Sequence, residues 1–353
     1  MTPESADLKK QEAAWRRFVR LFMTAFGVAL ALGCAFILLI DPYGVVPFSL
    51  PIERPLVEGQ QRLAYARVIR SGRFDSLIVG SSTVRSLDPR VLNEPFGARF
   101  ANLSIVGGRA GEQFILVDFF VRKVGAPKVL IVGLDFFWCD PGAEQRGFLE
   151  PGFPEWLYDD NPWNDYLNIF NNNTLEAAGR IVGAHLGLYN RQYREDGHAV
   201  VTPPDAQYDL QRARKALAEA RQAALPWLQA ADGREKDQRF TALDLLDRML
   251  ARAPSSRKVL VHLPLHISTQ GTAGSISNAI LGECKARIVE IAQKHGAQVM
   301  DWLIESPITT DDSNYWDSTH FRIGVAHLVE RGLIDSIAHG KAPAAGSFSL
   351  PVR

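Results

Sequence analysis

The sequence has no surplus of either charge: Lys and Arg together number 39, and so do Asp and Glu. Nucleic-acid binders normally carry a basic excess, so no nucleic-acid partner is expected. Cysteine is scarce. Of three residues, Cys34 lies in an apolar run, which leaves Cys139 and Cys284 as candidates for one disulfide. Sequence alone does not pair them, and two isolated thiols is the simpler expectation. No Cys/His spacing of a zinc site occurs. Internal repeats and low-complexity tracts are also missing, so a repeat architecture is not expected.

Charge and proline are absent from Leu21–Ile40. About 20 apolar residues suffice to cross a hydrocarbon core of roughly 30 Å. Lys9, Lys10, Arg16, Arg17 and Arg20 precede this run, and Asp41-Pro42 ends it. The positive-inside rule then puts residues 1–20 in the cytoplasm, a transmembrane helix over 21–40 in the bilayer, and the remainder outside. A cleaved signal peptide would need a shorter run and a small-residue cleavage site. A lipoprotein at Cys34 would keep a hydrophobic end through Ile40. A buried soluble helix is the remaining alternative.

Beyond the span, residues 41–73 read as a proline-rich connector with a short amphipathic helix near Gln60–Ser71. Strand and helix signals then alternate. Apolar strands are expected at Phe74–Gly80, Ala98–Leu103, Lys128–Gly133, Arg257–Leu263 and Ala297–Trp302. Helices are expected at Ala110–Val124, Ile276–His295 and Val325–Ile337. Short, fully apolar strands between helices imply an α/β fold with a five-stranded parallel sheet covered on both faces. This domain spans 74–340. It is interrupted by an insertion over about 138–253 that is rich first in Trp, Tyr, Asn and Pro, then in helical signal at Ala206–Ala231 and Glu235–Ala253, with Pro226 bending the former. Residues 341–353 read as a disordered tail.

In a parallel sheet, ligands bind beyond the carboxyl ends of the strands, and the chemically useful residues cluster there. Gly80-Ser81-Ser82-Thr83 follows the first strand, where a serine hydroxyl can project into the crevice beside free N–H groups. An ordinary helix cap would read the same way. Asn102-Leu103-Ser104-Ile105-Val106-Gly107-Gly108 follows the second strand. Its small residues let N–H groups approach an oxyanion, or simply allow positive φ. Asp317-Ser318-Thr319-His320 precedes the last helix, and the carboxylate can there hold Nδ1–H and leave Nε2 as a base. Arg85 and Arg109 can meet an anionic substrate, although solvated positions are the plainer expectation. His262 and His266 flank the fourth strand, and His266 can line the cleft or be a structural histidine. Phe136, Phe137, Trp138, Trp156, Tyr158 and Trp163 can form a sugar-stacking wall or pack the insertion.

A nucleophile after strand one, glycines after strand two and Asp-x-x-His before the last helix stand in the order an esterase-type site needs. In these residues the chain resembles the SGNH (GDSL-type) hydrolase superfamily, over roughly 74–135 and 257–337. The resemblance implies a three-layer α/β/α domain, with Ser82 as nucleophile, Asp317 and His320 as its partners, and the N–H groups of Ser82 and Gly107 as oxyanion hole. Asn102, Gly108, Asp135, Arg85 and His266 are possible lining residues, and no metal or nucleotide cofactor is implied. Two positions depart from the pattern. Ser81 stands where the family has Asp, which is similar to membrane-tethered branches such as the teichoic-acid D-alanyl transfer and alginate O-acetyltransferase proteins. Asp135 stands where the third block has Asn, and an ionised carboxylate there would repel an oxyanion. The resemblance therefore implies O-acyl transfer, acetyl by analogy, to an envelope or exported polysaccharide. It also implies an acyl donor, a carbohydrate acceptor, a multispanning membrane partner, and a bacterial inner-membrane location with a periplasmic catalytic domain. A periplasmic carbohydrate or lipid esterase, and an inactive SGNH-like binding or assembly subunit, are the alternatives.

Overall fold

A computed structural model describes residues 3–56, 60–189, 193–200, 202–222, 240–271, 274–344 and 346–352. It is a mixed α/β structure, about half helical, with one six-stranded sheet and one long apolar N-terminal helix. The chain divides into two compact units. One comprises residues 1–54 and 161–190; the other comprises 55–160 and 191–353. The expected insertion is thus split, its 161–190 part belonging with the N-terminal helix.

In the first unit, α1 (Pro3–Ile40) is 38 residues long, or about 57 Å at 1.5 Å per residue. Its Lys10–Ile40 portion is long and apolar enough to cross a membrane. The helix ends at Asp41, whose φ is +46° and whose carboxylate accepts hydrogen bonds from Val45 and Val46 N–H. Arg54 Nε donates to the Ile40 carbonyl at 2.7 Å, satisfying one of the orphan acceptors every helix end leaves. Two further helices complete this unit, α6 (Pro162–Asn168) and α7 (Asn172–His185), each capped by an asparagine side chain, Asn161 and Asn171 respectively. Ala178 and Ile181 of α7 pack on Ile40.

The second unit is built on the sheet, in the order β2-β1-β3-β4-β5-β6. Its strands are β1 (Ser76–Val79), β2 (Phe100–Asn102), β3 (Val129–Leu134), β4 (Arg257–His262), β5 (Gln298–Asp301) and β6 (Ser349–Val352). Strands β1 to β5 pair in parallel, and β6 joins β5 antiparallel. An all-parallel, five-stranded sheet was expected, and the sixth strand comes from the tail expected to be disordered. Phe348 stacks on Trp302 with ring centroids 4.3 Å apart, which anchors that tail at the sheet edge.

Alternating strand residues explain why both faces are covered. Ile78, Ile131, Val261 and Met300 pack with Leu92 of α3 (Pro89–Phe96) and with Val325 and Val329 of α11 (Ile323–Gly332). The intervening Leu77, Val79, Leu130, Val132 and Leu260 are equally buried. The remaining helices are α2 (Gln61–Arg70), α4 (Ala110–Lys123), the short α5 (Ala143–Arg146), α8 (Leu210–Gln222), α9 (Ala242–Arg252) and α10 (Ile276–Lys294). Pro226, expected to bend the first insertion helix, lies outside the described residues.

Candidate active site

The site begins at the carboxyl end of β1. Gly80, just after β1, and Gly133 of the neighbouring β3 both face Val84. A Cβ on Gly80 would sit 2.3 Å from Val84 Cγ2, and one on Gly133 only 2.0 Å away. Val84, within the turn that carries Ser82, thereby fills the space beside Gly80 and Gly133. That turn is a five-residue 3₁₀ segment, Ser82–Ser86. Asn102 holds it from below. Its Nδ2 donates to the Val84 and Leu87 carbonyls at 3.0 Å each, and its Oδ1 accepts from the Ser104 hydroxyl at 2.6 Å. Asn102 is fully buried; it scaffolds the turn and does not line a cleft.

The Ser82 hydroxyl lies 3.0 Å from His320 Nε2. On the other side of the ring, Nδ1 is 2.8 Å from Asp317 Oδ2 and 3.1 Å from Oδ1. Asp317 Oδ1 also accepts the Thr319 and His320 backbone N–H groups, both at 2.8 Å, and the Thr319 hydroxyl at 3.0 Å. Burial pushes the Asp317 carboxyl up, but the hydrogen bonds and charge of His320, aided by these N–H groups, carry it down to about 2. It is therefore ionised at neutral pH and fixes Nδ1 as the protonated nitrogen. The loop that bears both residues is closed by a bridge between Tyr315 and Phe321 and by the Trp316 N–H to His320 carbonyl bond at 2.9 Å. Thr319, which supports the carboxylate, was not singled out from sequence; its place between Asp and His is the only signal it leaves.

The loop after β2 touches this turn directly. Ile105 N–H donates to the Gly80 carbonyl at 3.0 Å, and Gly108 N–H donates to Ile105. A Cβ on Gly108 would lie 3.2 Å from that same Gly80 carbonyl. Gly107 has φ +60°, a conformation that favours glycine. Among the described residues, neither Gly107 N–H nor Ser82 N–H donates to a backbone carbonyl in a turn or loop.

Asp135 ends β3. Its Oδ1 accepts the Phe137 N–H at 2.9 Å, while Oδ2 is buried and receives no well-formed hydrogen bond among the described residues. Burial raises its carboxyl to about 6, against the downward pull of the nearby Ser81 hydroxyl and the Phe137 N–H. Both departures from the motif pattern, Ser81 and Asp135, are therefore neighbours.

Asp135 also forms part of the wall of a cavity of about 400 Å³. Phe136, Phe137, Leu265, Leu281 and Leu303 supply its apolar side chains, and Ser318 and Thr319 of the Asp317–His320 loop also line it. Cys139 lines it as well and forms a disulfide with Cys284, so the expectation of two isolated thiols does not hold. His262 contributes a buried imidazole that has no side-chain hydrogen bond among the described residues. Burial pushes it down to about 4, leaving it neutral at pH 7.

Other sequence candidates lie elsewhere. Arg85 is buried with its guanidinium 4.5 Å over the Tyr193 ring, so it is neither a solvated residue nor a cleft residue. His266 is fully buried and contacts the Ser268 hydroxyl at 2.8 Å and Asp312 at 3.2 Å, which makes it structural. Arg109 donates to the Arg146 and Leu149 carbonyls and pairs with Glu150. Of the aromatic set, Trp138 and Tyr158 are core residues, whereas Phe136 and Phe137 line the cavity.

Compared with known proteins, the sequence matches no protein-family model and no curated protein at a significant level.

Proposed function

We propose that this chain is a membrane-anchored serine acyl-transfer enzyme of the SGNH hydrolase type. The observation that carries this reading is the hydrogen-bonded series Ser82–His320–Asp317 at 3.0 and 2.8 Å, on the carboxyl-end side of a largely parallel sheet, where α/β ligand sites lie. Helices over both sheet faces support a three-layer α/β/α arrangement.

In the proposed reaction, His320 Nε2 takes the Ser82 proton as Oγ attacks an ester carbonyl. Asp317 stabilises the imidazolium. Ser82 and Gly107 N–H groups donate to the tetrahedral oxyanion. Collapse breaks the ester C–O bond, and the leaving alkoxide takes the proton from His320. The acyl group on Ser82 then passes to an acceptor hydroxyl, which His320 deprotonates in turn. A carboxyl at position 135 is compatible with this chemistry when protonated, a state its burial favours below about 6.

The acceptor in this reading is an envelope or exported polysaccharide, and the donor is presented by a multispanning membrane partner, by analogy with the tethered branches that share Ser81. The polypeptide is anchored through Leu21–Ile40 with its basic N-terminus in the cytoplasm and the sheet unit in the periplasm. The Cys139–Cys284 disulfide supports an oxidising compartment. Hydrolysis to free acid is the alternative outcome of the same acyl-enzyme.

The test is incubation of the detergent-solubilised full chain with an aryl acetate, followed by mass analysis of the Ser82 peptide. Acetylation present in the wild type and lost in Ser82→Ala and His320→Ala establishes nucleophile and base. A folded wild type that never acylates, with any ester offered, sinks the reading and leaves the inactive binding subunit.

A further inference from the structure

The geometry points to a medium-length acyl chain, rather than acetyl, as the group this site transfers, held in the cavity beside Asp135 and Thr319. This rests on the acyl-transfer reading and deepens it. At about 30 Å³ for a water-sized group, a cavity of about 400 Å³ has room for on the order of ten such groups. Acetyl would leave most of it empty. Phe136, Phe137, Leu265, Leu281 and Leu303 make much of its wall apolar, and the lining offers no unpaired cation for an anionic substrate. Arg146 is paired with Asp140, and His262 is neutral. The cavity abuts both ends of the reacting centre: Ser318 and Thr319 belong to the loop of Asp317 and His320, and Asp135 neighbours Ser81. The cavity lining stops short of Ser82 and His320, so in this proposal the carbonyl end of the chain extends past Thr319 to reach Ser82. The disulfide at Cys139 fixes one wall, which favours a defined chain length.

The experiment is a series of p-nitrophenyl esters from acetate to dodecanoate with the full chain in detergent or nanodiscs. Each methylene buried in the cavity raises kcat/KM about fourfold, up to a maximum between roughly six and ten carbons, where on the order of ten water-sized groups fill the space. Leu281→Trp, or Thr269→Phe should the first not fold, narrows the cavity and moves that maximum toward acetate. Turnover that is flat or falls from acetate onward, or a maximum that neither variant moves, overturns the proposal while leaving acyl transfer intact. Binding of a decanoate probe to Ser82→Ala separates the other failure. If no ester is turned over but decanoate binds and Leu281→Trp or Thr269→Phe abolishes binding, the cavity assignment holds and the enzymatic reading falls.

A different set of residues carries a second inference. Within the first unit, the 161–190 segment exposes large apolar side chains, Trp163 at 74% and Leu167 at 80% among them, followed by Leu186, Leu188 and Tyr189. Its helix α7 is seated on Ile40, the last residue of α1. We infer that this segment lies in the lipid–water interface at the outer end of the span, apolar side chains toward the acyl region and Trp163 and Tyr189 at the headgroups. This rests on α1 crossing the bilayer. Spin labels at Leu167→Cys and Leu186→Cys, in a Cys34→Ala background in nanodiscs, read oxygen against aqueous nickel collisions. Both positions are expected to favour oxygen, as Leu30→Cys inside the span does. Labels that favour nickel, or that are shielded from both because protein covers them, overturn the inference. A Leu30→Cys label that favours nickel refutes the span itself.

Discussion

Ser82 and His320, separated by 238 positions in the chain, meet at 3.0 Å between Oγ and Nε2. Each stands in a short loop at a strand or helix boundary, and each loop is held independently, the serine turn by Asn102 and the histidine loop by the Tyr315–Phe321 bridge. In the proposed mechanism, removing either side chain removes proton transfer without touching these supports. Ser82→Ala and His320→Ala are each expected to lower ester turnover by roughly 10⁴- to 10⁶-fold, with an unchanged melting temperature. Asp317→Asn leaves the ring in the wrong tautomer and is expected to cost about 10⁴-fold. Rates and thermal melts on the same preparations check both halves.

Asn102 separates scaffold from site. Asn102→Ala would leave the Val84 and Leu87 carbonyls without their buried donor. At about 1–3 kcal/mol per unsatisfied group, it is expected to lower the melting temperature by several degrees and to reduce Ser82 acylation only in step with the loss of fold. A catalytic lining residue would show the reverse: an unchanged melt and a large drop in rate.

The acidic side of the site has a definite pH signature. Asp135 titrates near 3.8 when unfolded and near 6 when folded. A carboxyl raised in this way weakens folding as pH rises from about 3.8 through 6, by at most on the order of 3 kcal/mol. Asp317 has the opposite sign. Its stabilisation is complete above about 3.8 and is lost as pH falls toward 2. Asp135→Asn is therefore expected to raise the melting temperature at pH 7 and leave it nearly unchanged at pH 4. It should also relieve a decline in kcat/KM on the alkaline side of 6 that comes from an ionised carboxylate beside the oxyanion. A decline that persists in Asp135→Asn would assign it to another group.

The disulfide should matter for the whole sheet unit. Cys139 and Cys284 lie 145 residues apart, and cross-links closing long loops typically contribute 2–5 kcal/mol. Reduction, or the double change Cys139→Ser with Cys284→Ser, is expected to lower the melting temperature clearly. In the oxidised wild type, thiol reagents under denaturing conditions should label Cys34 alone.

The sheet and the Asp317–His320 pairing were legible because their signals are local. An apolar run such as Val129–Leu134 is short, β-rich and bounded, and Asp317-x-x-His320 fits within one loop. What the sequence concealed depends on distant partners. Nothing near Asn102 says that its amide will reach back to Val84 and Leu87. A separation of 145 residues hides the pairing of two cysteines. The sixth strand carries Pro351, which reads as a strand breaker but is tolerated in an edge strand. Its stabilising contact, Phe348 on Trp302, joins the tail to the end of β5. The 161–190 segment resembles its flanks in composition, so only the packing of α7 on Ile40 reveals which unit it joins.

Val84 offers the sharpest test of how the nucleophile turn is aimed. Gly80→Ala would bring Cβ within 2.3 Å of Val84 Cγ2, and Gly133→Ala within 2.0 Å. Both distances are too short for carbon atoms, and the β1 and β3 backbones on either side are locked in the sheet, so Val84 and the Ser82 turn must move. Overpacking of this kind costs about 1–3 kcal/mol, and a shift near 1 Å at a reacting atom can cost about 100-fold in rate. Val84→Ala removes the clashing methyl and is expected to restore most of both losses in the Gly80→Ala background, giving a strongly non-additive double-mutant cycle. Additive effects on rate would mean that Val84 fills space between the strands without setting the position of Ser82.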